Sequence, residues 1–266
     1  VSTAGAILGT FMTGFFFILW FGIRMIIWLV AAVLILTGIL TWFSWRVPDR
    51  WIFTLKNITT WLVMIIVVMT FAFIFQLRAT GQEGYTRESN YYTILVTSRS
   101  VGDDNIKMLY LDRLRHSYTD FNDPTVLFYD YLKIFKEIVT YTARENQSPR
   151  ILHLGGGGYT FPRYMEYVYY QSINEVVEID PAVTEVARLE LGLPLATGIK
   201  TYNQDARLFL IQRNTQEKYD IVIGDVFNDR STPYHLTTLE FDRLVNDNLK
   251  DDGIYMVNIV DDYEHG

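Results

Sequence analysis

The run Ile151-Leu152-His153-Leu154-Gly155-Gly156-Gly157-Gly158 decides the fold, because strand-forming residues lead straight into four glycines. Glycine lets backbone approach a ligand and tolerates positive φ, and a helix opening just afterwards offers unpaired N–H groups. The same alternation continues downstream. Segments 175–179, 199–202, 219–224 and 254–259 read as strands, and 162–170, 181–191, 206–213 and 239–249 read as helices. Strands alternating with helices need right-handed crossovers, which give a doubly wound parallel sheet. Upstream, Leu132, Ile134, Phe135, Ile138 and Val139 recur at helical spacing within 127–144. Before that, 91–97 and 106–111 flank the turn Gly102-Asp103-Asp104-Asn105 and predict a β-hairpin.

The beginning of the chain is chemically different. Residues 1–80 carry five basic side chains and one acid, leaving 18 basic and 29 acidic among the totals of 23 and 30. Windows 1–23, 25–45 and 57–77 contain no charge at all. Each is near the ~20 residues that cross a hydrocarbon core, so three transmembrane helices are expected at about 3–21, 25–45 and 58–77. The expected organisation is therefore a membrane region over 1–80, a small β-domain over 84–125 and a Rossmann-like nucleoside-binding catalytic domain over 126–266. Membrane lipid is an expected partner. Five strands instead of seven, and a start at Val1, suggest a piece of a longer protein, truncated at its C-terminus.

Composition removes several chemistries. There are no cysteines, which excludes disulfides, thiolate zinc sites and cysteine nucleophiles. The acidic second part argues against a nucleic-acid partner, whose phosphates call for a basic face. No metal is expected.

In doubly wound sheets ligands bind beyond the carboxyl ends of the strands. Four residues or groups occupy those places: the loop Gly155, Gly156, Gly157, Gly158; Glu178; Asp205; and Asp225. Glu178 lies 23 positions after Gly155, a spacing at which an acid can accept hydrogen bonds from both ribose hydroxyls. Asp205 is placed to accept from an adenine amino group, or else to cap the helix that opens at Ala206. Asp225 is a candidate functional carboxylate or the cap of a turn.

Arg87-Glu88-Ser89-Asn90-Tyr91, Leu111-Asp112, the glycine loop, Val177-Glu178-Ile179-Asp180 and Tyr219-Asp220-Ile221-Val222-Ile223-Gly224-Asp225 follow in the order found in spermidine synthases. With the apolar first part added, the chain resembles the membrane-fused spermidine synthase-like, or polyamine aminopropyltransferase, proteins. The resemblance implies a methyltransferase-like sheet under a small β-lid, and a homo-oligomer formed through the catalytic domain. It implies an amine acceptor and, as co-substrate, decarboxylated S-adenosylmethionine or S-adenosylmethionine. Glu178 would hold the ribose, Asp205 the adenine and Asp225 the attacking amine, with Tyr129 assisting Asp225. A cytosolic donor would put the catalytic domain on the cytoplasmic side of an integral membrane protein, in the plasma membrane of a prokaryote.

The departures fall mostly on the amine side. The family's aspartate after the glycine triplet, which contacts the diamine, is Gly158 here. Its two glutamines are replaced by Tyr92 and His116, and the loop from Asn228 to His235 differs. Tyr92, His116, Asp229 and His235 are thereby candidate substrate-binding positions. The rival expectations are an S-adenosylmethionine-dependent methyltransferase, a non-catalytic nucleoside-binding module on a membrane transporter-like domain and, more distantly, a nicotinamide-dependent oxidoreductase.

Overall fold

A computed structural model describes residues 2–44, 84–101, 104–142, 148–213, 217–228 and 231–260. The chain divides into two compact units, Val1–Gln82 and Glu83–Gly266. In the first, α1 (Ser2–Met12) runs through a π-turn at Thr13–Phe17 into α2 (Ile18–Ser44). Thr10 and Thr37 return their hydroxyls to carbonyls of the preceding turn, Thr10 to Ala6 at 2.9 Å and Thr37 to Val33 at 3.0 Å.

The expectation of membrane-spanning helices is corrected here: among the described residues, no helix is long and apolar enough to cross a membrane. Side chains are described over 3–15 and 25–38 of this unit. The third expected span, 58–77, lies outside the described residues. The integral-membrane location rested on those spans and is not supported among the described residues, and nothing shows a lipid partner.

The second unit holds two sheets. The first is antiparallel in the order β1 (Tyr85–Glu88), β2 (Thr93–Val101), β3 (Asp104–Leu111), β4 (Leu114–Asp120). It contains the expected hairpin, with Ile94 opposite Leu111 and Val96 opposite Leu109, and adds a strand on either side. Asp112 turns β3 into β4 with φ 56°, and its carboxylate accepts from Thr93 N at 2.9 Å. Aspartate tolerates this left-handed region better than most residues because its short polar side chain can bond locally.

The second sheet is wholly parallel. Its strands are β5 (Arg150–Leu154), β6 (Ile173–Val177), β7 (Lys200–Tyr202), β8 (Tyr219–Gly224) and β9 (Leu249–Val257), in the order β7-β6-β5-β8-β9. The helices are α3 (Asp130–Thr142), α4 (Thr160–Val168), α5 (Pro181–Glu190), α6 (Ala206–Gln212) and α7 (Leu239–Asn248). One apolar cluster joins α3 and α4 to the sheet through Phe135, Val139, Phe161 and Met165 against Ile151 and Ile221. Another joins α6 and α7 through Phe209, Leu210, Phe241 and Val245 against Leu152 and Val222. A third carries the antiparallel sheet, Ile94, Val96, Leu109 and Leu111, onto Val183, Val186 and Leu191 of α5 and its end. Each such side chain, fully buried, stabilises by about 1.5–3 kcal/mol relative to exposure.

The strand order matters for function. From β5 the chain steps outward to β6 and β7, then returns to lay β8 on the other side of β5. The reversal opens a crevice beyond the carboxyl ends of β5 and β8, the place where such sheets take their ligands.

Candidate functional site

The glycine loop is pinned at both ends of that crevice. Gly155 N donates to Val177 O and Asp225 N donates to Leu154 O, each at 2.9 Å. Gly155 has φ +92°, and a Cβ there would overlap the Asp225 carbonyl, so the loops after β5 and β8 touch backbone to backbone. Beneath the loop lies Tyr159, fully buried and left-handed at φ 55°. Its ring would stand 2.7 Å from a Cβ on Gly156, and its hydroxyl is shared with Thr184 at 3.0 Å and Thr201 at 3.3 Å. Burial pushes this phenol up to about 12.

Glu178 follows β6, and its carboxylate faces the glycine loop. Oε2 accepts from Gly156 N at 2.9 Å and Gly157 N at 3.2 Å, while Oε1 accepts from Asp180 N at 3.0 Å. Burial raises its pKa above the ordinary range, and the three backbone donors only partly offset that. Asp205 does cap a helix: Oδ1 accepts from Leu208 N at 2.9 Å. Its second oxygen meets His235 Nε2 at 2.8 Å. Arg207 fixes the short turn Tyr234–Leu236 that carries this histidine, donating to His235 O at 2.7 Å and Thr238 Oγ1 at 3.1 Å.

Asp225 is held by two side-chain donors. Oδ2 accepts from the Tyr131 hydroxyl and Oδ1 from Asn258 Nδ2, both at 2.9 Å. Burial raises its pKa, against the opposing effect of those two donors. The Tyr131 phenol is in turn raised, first by burial and then by the Asp225 charge, so it keeps its proton and donates. Tyr129 is placed differently. Its hydroxyl accepts from Arg115 Nε at 3.2 Å and donates to Arg115 O at 3.3 Å.

Two cavities meet at this carboxylate. The larger, about 520 Å³, is lined by Tyr129, Tyr131, Phe135, Phe161, Arg115 and Ser117 among others. The smaller, about 270 Å³, is lined by Glu178, Asp205, His235, Tyr92, Gln204 and Val226 among others. Gly155, Gly157, His116, Phe227 and Asp225 border both. The structure thus brings together Glu178, Asp205, His235 and Tyr92 on one side of Asp225, and Tyr129 and Gly158 on the other. Asp229 lies outside the described residues. Burial, reinforced by the Glu178 and Asp180 charges, pushes the Tyr92 phenol up to about 12, and its hydroxyl stands 3.5 Å from Phe227 O. Among the described residues no group of three or more His, Asp or Glu could hold a metal ion.

Sequence reading missed Tyr131 and Asn258. Tyr131 lies four residues before the buried Phe135 and so shares its inward face, a spacing that could have flagged it. Nothing in the sequence of β9 and its end marks Asn258. Also missed was Asp180, whose Oδ1 caps α5 through Ala182 N at 2.9 Å while Oδ2 accepts from Ser89 Oγ, tying the two sheets together.

Residues 133–261 match the spermine/spermidine synthase domain. The chain is 31% identical over 110 residues to a polyamine aminopropyltransferase of Vibrio vulnificus, spanning 41% of this chain and 37% of that protein. A probable spermidine synthase from Corynebacterium glutamicum superposes with a TM-score of 0.61 at 28% identity, covering 66% of this chain and 63% of the other. A spermidine synthase in complex with the transition-state analogue AdoDATO has the same fold, with a TM-score of 0.50 at 19% identity over 65% and 56% of the two chains. The chain therefore contains a spermidine synthase-like domain of Rossmann type, and it spans little more than a third of the length of the curated relative.

Proposed function

We propose that this spermidine synthase-like domain transfers an aminopropyl group from decarboxylated S-adenosylmethionine to an amine. The observation that carries the reading is the half-buried Asp225 carboxylate, held by Tyr131 and Asn258 where a nucleoside-sized cavity meets a larger one. In this reading Glu178 takes the ribose hydroxyls on the lone pairs its backbone donors leave free. Asp205 and His235 face the base, and the glycine loop lets the donor lie close to the backbone. The antiparallel sheet serves as lid and 126–266 as the catalytic domain.

Asp225 then holds the attacking amine at the junction. The amine lone pair forms a C–N bond at the carbon beside the sulfonium, the C–S bond breaks with its electron pair passing to sulfur, and a thioether leaves. Asp225 accepts the proton that nitrogen loses. A carboxyl raised by burial is a better match to that task than an exposed one, because general-base efficiency improves as the pKa nears the working pH. Bringing both reactants to one carboxylate supplies the remaining advantage through orientation.

The test is calorimetric binding of decarboxylated and intact S-adenosylmethionine to the whole chain, with Glu178→Ala as control. Glu178-dependent binding that favours the decarboxylated donor supports the reading. Preference for the intact donor points to methyl transfer, and binding of neither by folded protein overturns the proposal.

A further inference from the structure

We infer that the acceptor is a primary amine with an aromatic or bulky apolar body and no second cationic centre. The inference rests on the aminopropyl-transfer reading above and narrows it. Among the described residues lining the larger cavity, Asp225 is the sole carboxylate and Arg115 adds a cation. Arg115 makes no ion pair with a described carboxylate. In that reading the one carboxylate already serves the attacking amine. The distal ammonium of a diamine would find no second described carboxylate in this cavity.

Aromatic rings can hold a cation by their faces, and one cation, Arg115, is already placed on this aromatic cluster. The Arg115 guanidinium lies 4.1 Å from the centre of the Tyr118 ring and bonds the Tyr129 hydroxyl. From there Tyr118, Tyr129, Tyr131, Phe135 and Phe161 pack ring to ring at 5.4–6.0 Å, forming a continuous aromatic wall. His153, which also lines the cavity, is fully buried and held neutral, its pKa lowered to about 4 by burial. The volume of about 520 Å³ exceeds what a four-carbon chain needs and lies in the range of cavities for drug-sized ligands.

Any side chain at position 158, a carboxylate included, is sterically excluded beside Ser117. A Cβ on Gly158 would overlap Ser117 Oγ and lie 2.8 Å from Ser117 Cβ and 3.2 Å from Thr119 Oγ1. The Ser117 hydroxyl itself is buried in this wall with no hydrogen-bond partner. It offers the acceptor a neutral polar contact where a diamine would need an anion.

The experiment measures two things on the whole chain. One is turnover with the decarboxylated donor, comparing 2-phenylethylamine and pentylamine with 1,4-diaminobutane and 1,5-diaminopentane. The other is calorimetric binding of the same amines to protein saturated with methylthioadenosine. The expected result is a kcat/KM at least tenfold higher for the monoamines and tighter monoamine binding. The Ser117→Gly/Gly158→Asp double variant should reverse that order by admitting a second carboxylate. Equal or better use of diamines by the wild type overturns the inference. Monoamine-selective binding without turnover keeps the ligand class and removes aminopropyl transfer, whereas binding of neither class removes the inference while the donor titration still judges the transfer reading.

Discussion

Asp225 illustrates how one side chain can be placed against stability and in favour of chemistry. Its pKa is raised by burial, so in the folded state ionisation is disfavoured. The stability it allows is complete below the ordinary aspartate value and declines as pH rises through the folded value. Asp225→Asn is therefore expected to unfold at the same or a higher temperature than wild type at pH 8, with that advantage gone at pH 4. The same variant should lose about 10²–10⁴-fold in kcat, the usual contribution of a positioned general base. A Tm clearly lowered at pH 8 would mean that the carboxylate is structural. Asp205 has two jobs that substitution can separate. Asp205→Asn keeps a side-chain oxygen for Leu208 N and should retain stability, whereas Asp205→Ala should lose about 1 kcal/mol of capping. Both should weaken nucleoside binding, so equal affinity of Asp205→Asn and wild type would assign Asp205 to the helix alone. These positions were legible in the sequence because strand ends are fixed by hydrophobic pattern. Tyr131 was not, because which of two tyrosines reaches Asp225 depends on the rotation of α3 about its axis.

At the scale of elements, α4 is locked to its surroundings by a buried cation. Arg163 Nη1 donates to Leu191 O at 2.8 Å and Asp120 O at 3.2 Å, and Nη2 to Phe121 O at 3.2 Å. One guanidinium thus joins α4, the end of α5 and the end of β4. Three carbonyls in two directions suit a planar fork and not a point charge. Arg163→Lys should therefore destabilise almost as much as Arg163→Ala, by about 2–4 kcal/mol, since each acceptor left bare costs about 1–3 kcal/mol. Chemical denaturation measures this, and near-wild-type stability of Arg163→Lys would refute the geometric argument. β1 and β4 were invisible to sequence reading for a related reason. β4 reads Leu114-Arg115-His116-Ser117-Tyr118-Thr119-Asp120, with polar residues on both faces, and its residues 114–117 all line the cavity.

At the scale of the molecule, the parallel sheet was readable from its five apolar runs, whereas the first unit was misread. Absence of charge in a window is compatible with a span and does not by itself establish one. Acid sensitivity is a property of the whole folded unit, and His153 is expected to dominate its lower range. The imidazole is fully buried against Asn174 Oδ1 at 3.1 Å, and its pKa is lowered from 6.5 to about 4. An unfolded chain takes up that proton first, so stability is complete above pH 6.5 and falls by about 3 kcal/mol as pH approaches 4. Glu178 and Asp225 act in the opposite sense, but they are common to wild type and His153→Leu. The difference in urea-derived stability between pH 7.5 and 4.5 should shrink by about 3 kcal/mol in that variant. An unchanged difference would place the acid sensitivity elsewhere.

The overlap between Gly158 and Ser117 has a historical consequence. Glycine and an acid at position 158 are separated by a steric barrier whose height depends on the residue at 117. With serine already at 117, the road back through Gly158→Asp meets a clash before any benefit, so the serine acts as a ratchet. Relatives that regain the acid should be those in which position 117 shrank first.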